Sequence, residues 1–124
     1  MTTFYPTFRY RDPHAAIDWL EKAFGFERVA VHEGPDGTIA HAEMKLGEGM
    51  IMLGQSRDDK YGSRAGNGWC YVGGKDFDID AMHESAVSAG AEIFMAPTDQ
   101  EYGSRDFQAY DLEGNLWSFG TYEP

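Results

Sequence analysis

Apolar and polar positions alternate, shift to a helical spacing and alternate again, and the chain does this twice. Residues 4–10 read as an alternating strand. Asp12 before Pro13 marks a helix start: an Asp side chain accepts from the unpaired first N–H groups, and Pro has no N–H to leave unpaired. Ala16, Ile17, Leu20 and Phe24 then fall on one helical stripe, and Gly25 is a natural stop. Strands follow over 27–33, 38–46 and 50–54, punctuated by Gly34-Pro35-Asp36-Gly37 and Gly47-Glu48-Gly49.

The second half repeats this order. Residues 69–72 predict a strand, and Asp78 caps a helix whose apolar side is Ile79, Met82, Ala86 and Ala89, with Gly90 as its stop. Strands follow over 92–95, 106–110 and 116–122, the last two joined by the turn residues Asp111 to Asn115. Pro13 to Gly25 and Asp78 to Gly90 are both twelve steps, and Gly25 to Gly49 and Gly90 to Gly114 are both twenty-four. Such matched spacing predicts a βαβββ unit present in tandem.

The fold class is therefore α+β, with one domain over 1–124: a first module over about 1–54, a linker over 55–67 and a second module over about 68–124. The linker is charged, contains glycine and lacks an apolar period. Tyr-Gly-Ser-Arg occurs in it at 61–64 and again at 102–105. The repeat reads either as two loop-compatible tetrapeptides or as a pair of loop arginines near a cavity mouth.

Composition narrows the function classes. A 42% hydrophobic, 15% aromatic chain supplies a real core. A formal charge of −11 argues against a nucleic-acid partner, because neutralising phosphates takes clustered Lys and Arg. The charge suits a cationic ligand, or simply keeps the surface soluble. The single cysteine, Cys70, excludes an internal disulfide framework and is expected to pack as a small hydrophobe. The longest apolar stretch, 49–54, is too short for a bilayer, and residues 1–12 lack the pattern of a signal peptide. A cytoplasmic protein with no membrane partner is expected.

Alternation places Phe8, Tyr10, Trp117 and Phe119 against the helices. It places Tyr5, Thr7, Arg9, His41, Glu43, Lys45, Trp69, Tyr71, Gln108, Tyr110 and Ser118 on the opposite faces. That set is aromatic with a few polar groups, the usual lining of a small-molecule pocket. Trp69, Tyr71 and Tyr110 suit stacking on a planar or cationic group, and the Arg9 fork suits a carboxylate or phosphate. The same residues also read as cavity filling or a dimer interface, with Arg9 paired to Glu43. His41 and Glu43 share a face and form half a metal site if His32 or Glu33 joins them; otherwise they are a solvated strand face. His14 and His83 lie on predicted helices and are expected to face water. No nucleophile-elbow, P-loop or dinucleotide-binding pattern is present.

Asp12 ahead of a helix ending Ala23-Phe24-Gly25-Phe26, Asp111-Leu112-Glu113-Gly114-Asn115-Leu116-Trp117, and the tandem units resemble the vicinal oxygen chelate superfamily, the glyoxalase, bleomycin-resistance and extradiol-dioxygenase group. The resemblance implies curved mixed sheets around a cavity with helices outside, and a homodimer in which sheets of different chains often complete each cavity. It also implies metal ligands, usually His and Glu, on the first and last strands of each unit. Those positions carry over to Tyr5, Met52, Trp69 and Ser118, and no neighbouring register supplies a His/carboxylate set. The expectation is a metal-free small-molecule-binding protein resembling bleomycin-resistance proteins, without cofactor or catalytic residues. Its ligand would be aromatic or cationic, held among Tyr5, Arg9, His41, Glu43, Met52, Trp69, Tyr71, Gln108, Tyr110 and Ser118. The alternative is a glyoxalase- or dioxygenase-like enzyme (lyase, isomerase or oxygenase) with a displaced metal near His41 and Glu43.

Overall fold

The computed structural model describes residues 1–124. The first unit runs β1 (Thr7–Tyr10), α1 (Pro13–Phe24), β2 (Glu27–Glu33), β3 (Ile39–Leu46) and β4 (Gly49–Gln55). The second runs β5 (Trp69–Gly73), α2 (Ile79–Ser88), β6 (Glu92–Asp99), β7 (Arg105–Tyr110) and β8 (Leu116–Gly120), after a short 3-10 turn at Gly62–Arg64. Each unit forms its own mixed four-stranded sheet, ordered β1-β4-β3-β2 and β5-β8-β7-β6. The first and last strands of a unit are parallel, with Thr7 beside Met52 and Tyr71 beside Ser118. The remaining pairs are antiparallel.

Local chemistry sets both helices. The Asp12 carboxylate accepts from Ala15 N–H at 3.1 Å, and the Asp78 carboxylate accepts from Ala81 N–H at the same distance. α1 ends because Gly25 takes φ +80°, a left-handed conformation that costs a residue without Cβ nothing.

The core is shared between the units. The α1 stripe packs onto both: the Phe24 ring lies 4.7 Å from Phe119, and Phe8 of β1 stacks on Trp117 of β8 at 4.9 Å. Trp19 Nε1 donates to the Ala89 carbonyl at the end of α2, at 2.9 Å. Each fully buried large side chain in this core contributes about 1.5–3 kcal/mol. The two sheets therefore turn their helix-facing sides into one interior and leave their other faces open.

A buried carboxylate in the β7–β8 turn ties the units together. Asp111 Oδ2 accepts from the Tyr10 hydroxyl (2.6 Å), Trp117 Nε1 (3.0 Å) and Asn115 Nδ2 (3.1 Å), while Oδ1 accepts from the N–H groups of Glu113 and Asn115. Glu113 reaches back to the start of α1, accepting from the N–H groups of Arg11 and Asp12 at 2.6 and 2.9 Å. Only Gly114 takes positive φ in this turn; Asn115 serves as a hydrogen-bonding partner instead.

Most strand boundaries fall within one residue of the sequence expectation, and three differ by more. β1 begins at Thr7 rather than residue 4, because Pro6 offers no N–H and only its carbonyl pairs, with Met52 N–H at 3.0 Å. β6 continues past residue 95 to Asp99, through Pro97, because an edge strand tolerates a missing donor on its outer side. β8 stops at Gly120, two residues short of the expected end.

Candidate functional site

The open face of the second sheet is built by simple alternation. On β5, Cys70 and Val72 pack against the core, so Trp69 and Tyr71 point the other way. On β8, Ser118 lies between the core residues Trp117 and Phe119 and shares the outer face. On β7, Asp106 and Gln108 alternate with buried Phe107 and Ala109.

These side chains hold one another in place. Ser118 Oγ accepts from Trp69 Nε1 at 2.9 Å and from Gln108 Nε2 at 2.7 Å, which fixes an indole that is otherwise 72% exposed. Asp106, only 4% exposed, accepts from three hydroxyls: Tyr71 at 3.0 Å and Ser104 at 2.9 Å on Oδ1, and Tyr102 at 2.9 Å on Oδ2. No Lys, Arg or His forms an ion pair with it. Donating to this carboxylate pushes the Tyr102 phenol above its ordinary range; burial does so for Tyr71, with Asp106 reinforcing it. A Cβ on Gly120 would collide with both Asp106 Oδ1 and the Tyr71 hydroxyl, so glycine there leaves room for the cluster. Met95 and Gln100 complete a cup of about 420 Å³ over these residues.

The open face of the first sheet is different. Met52 lies between Thr7 and Glu43. His41 Nε2 is 2.9 Å from Glu43 Oε2, and the His32 ring stacks on His41 at 6.2 Å. Lys45 lies 3.6 Å from Glu27. Arg9 donates to the Gln55 carbonyl at 3.0 Å, sits 3.7 Å from Asp59 and lies over the Tyr61 ring at 5.3 Å. The Arg9–Glu43 pair weighed above is not formed, because each group has a nearer partner.

Of the ten candidate residues, Trp69, Tyr71, Gln108 and Ser118 come together in the cup. Tyr5, Arg9, His41, Glu43 and Met52 lie on or beside the first sheet, and Tyr5 precedes β1 as an exposed side chain. Tyr110 belongs to the second sheet but meets Phe94 edge-on at 5.6 Å, beyond the cup's lining. Sequence reasoning missed Asp106, Tyr102, Met95 and Gln100. Asp106 was within reach, since it shares its alternation with Gln108 and Tyr110. Tyr102 and Gln100 belong to a turn and carry no periodic signal.

Smaller expectations also resolve. Arg105 of the second Tyr-Gly-Ser-Arg is bound to Asp80 at 2.8 Å and Asp99 at 3.0 Å, while Arg64 of the first lines a cleft with Arg9 and Tyr61. His83 packs edge-on to Phe107 at 5.7 Å instead of facing only water. Cys70 packs partly buried against the core, and burial pushes its thiol up.

Fold and faces define an α+β protein of two tandem βαβββ units with open mixed sheets, the architecture of the vicinal oxygen chelate proteins. The chain belongs to the Glyoxalase/Bleomycin resistance protein/Dioxygenase superfamily, whose family profile matches residues 4–119. It is 30% identical over 116 residues to the uncharacterised protein Mb0911c of Mycobacterium bovis, spanning 88% of this chain and 76% of that one. Among solved structures it is similar to TioX from Micromonospora sp. ML1, at 28% identity and TM-score 0.77 over 99% of this chain and 98% of that one. A superfamily member from Sphaerobacter thermophilus shares the fold at 20% identity and TM-score 0.77, covering 98% of this chain and 99% of its own.

The metal positions implied by the resemblance hold a phenol, a thioether, an indole and a hydroxyl at Tyr5, Met52, Trp69 and Ser118. These do not fit a divalent ion bound by imidazole and carboxylate. No group of three or more His, Cys, Asp or Glu side chains gathers elsewhere in the chain to replace them. No helix is long and apolar enough to cross a membrane.

Proposed function

We propose that this protein binds an aromatic or cationic small molecule without a metal, as a homodimer, and makes or breaks no bond. The observation that carries this reading is the cup on the second sheet: an oriented, exposed indole beside two phenols and a buried carboxylate, around about 420 Å³ of space. Apolar walls with a few fixed polar groups favour a ligand site. The open faces support dimerisation. β1 and β5 are both sheet edges, and Phe4, Tyr5, Trp69 and Tyr71 stand exposed on or beside them. A second copy would cover that surface and turn each half-open face into an enclosed cavity.

The test combines a small-molecule screen with one variant. Saturable binding by an aromatic or cationic compound, weakened in Trp69→Ala, supports the reading. A screen that finds no saturable site, on a protein that sediments as a monomer, sinks it.

One observation favours a second reading. His41 and Glu43 lie in contact with His32 stacked above, which is the nearest arrangement in the chain to a partial metal site. An enzyme of the lyase, isomerase or oxygenase kind would hold its metal there. Elemental mass spectrometry of untagged protein separates the two: about one divalent ion per chain, lost together with activity in His41→Ala, would favour the enzyme.

A further inference from the structure

The groups that line the cup are mostly acceptors and ring faces. Tyr71 and Tyr102 give their hydroxyl protons to Asp106, so their remaining oxygen lone pairs and ring faces are what they offer elsewhere. Tyr71 also receives the Tyr122 N–H at 3.2 Å. Gln108 commits one amide N–H to Ser118, which leaves its carbonyl oxygen and its second N–H free. Gln100 directs one amide N–H at the Met95 sulfur, leaving its carbonyl oxygen and its second N–H. Trp69 spends its N–H on Ser118 and presents only its π-face. Ser118, receiving two donors, has the one spare O–H. Beneath all of these lies the Asp106 carboxylate, buried and without a basic partner.

Acceptor oxygens, electron-rich rings and a carboxylate repel an anionic group and attract a cation that can be desolvated against them. The first sheet's face lacks this polarity. Its carboxylate Glu43 already touches His41, and Arg9 would oppose a cation.

We infer that the cup on the second sheet is a subsite for an organic cation, an ammonium or amidinium group seated against Trp69, Tyr71 and Tyr102 with Asp106 beneath. The inference rests on the proposed binding function and narrows it from an aromatic or cationic ligand to a cationic one. The ammonium would settle on the rings without displacing the hydroxyls from Asp106. The carboxylate therefore acts at second hand, by making the phenol oxygens more negative as well as by its own charge.

The test uses a pair of probes of one shape and different charge: choline and 3,3-dimethylbutan-1-ol, in which carbon replaces the ammonium nitrogen. Titration calorimetry on the whole protein is expected to give choline the tighter binding by about tenfold or more. The Trp69 indole N–H resonance should move on choline addition, which places the probe in the cup. Asp106→Asn should erase most of that preference. If this buried change unfolds the chain, the exposed Trp69→Leu replaces it: choline should weaken by about tenfold while the neutral alcohol stays within about twofold. Equal affinities for the two probes, or a preference unchanged in either variant, would overturn the cation subsite. Indole serves as the control for the wider reading. Indole binding without choline binding leaves a ligand pocket and removes the cation; binding by none of the three removes both.

Discussion

The two open faces have the same architecture and opposite habits. Both are four-stranded sheets with a parallel pair at one edge, and both turn every second residue away from the shared core. On the first, His41 meets Glu43, Lys45 lies near Glu27 and Arg9 lies near Asp59, so its charges are satisfied among themselves. On the second, the one buried carboxylate is met only by hydroxyls, and the large aromatic Trp69 is held in a fixed pose over open space. A repeated topology therefore sets which positions face outward without setting what they do. The half that keeps its polarity unneutralised is the half suited to recognise something else.

Both faces are carried by units joined at the Asp111 cluster, and the largest expected effect tests that junction. Asp111→Ala strands the Tyr10 hydroxyl, the Trp117 N–H and the Asn115 amide in the interior, and should cost about 3–5 kcal/mol in urea unfolding. A loss under about 1 kcal/mol would mean that the units are held by packing alone.

Alkaline pH probes the same junction more gently. Burial, and then the Asp111 charge, push the Tyr10 phenol far above its ordinary value. The folded chain thus holds a proton that the unfolded chain releases near the usual tyrosine range. Stability from this group is complete below about pH 9 and falls as pH climbs past 10. Tyr10→Phe should flatten that part of the alkaline slope in a urea-midpoint series, and an unchanged slope would assign it to Tyr71 and Tyr102.

Paired variants sharpen the contrast between the faces. Trp69→Ala removes an exposed side chain and should shift stability by less than about 0.5 kcal/mol while weakening ligand binding by about tenfold. Met52→Ala, on the other face, should leave binding within about threefold, and the reverse pattern would move the site to the first sheet. Smallest of all, His41→Ala should change folding stability by under about 0.5 kcal/mol, since its Glu43 contact is substantially solvent-exposed.

How much of this was legible beforehand differs by element. Both helices could be read because Asp12, Pro13 and Gly25, and then Asp78 and Gly90, state their starts and stops in local chemistry. The core aromatics Phe8, Tyr10, Trp117 and Phe119 could be read from alternation alone. The site was half legible. Trp69, Tyr71, Gln108 and Ser118 lie on strands, where the period assigns a face. Tyr102 and Gln100 come from a turn whose direction depends on how β6 and β7 meet, a long-range fact with no local signature. β6 runs past the expected 92–95 through Pro97, which a sheet edge tolerates, and that edge position has no local signature either.

The Glu113 carboxylate that clasps the start of α1 has a consequence for how the protein is made. Tyr10 and its partner Asp111 are 101 positions apart, and Arg11 and Glu113 are 102. A ribosome that has delivered the whole first unit has delivered neither partner. Until the β7–β8 turn emerges, that half-synthesised polypeptide leaves the Tyr10 hydroxyl and the N–H groups of Arg11 and Asp12 without these partners. Completion of the first unit thus depends on the second, through these distant closures. Stalled or truncated products ending before residue 111 are accordingly expected to be the species that chaperones and proteases meet.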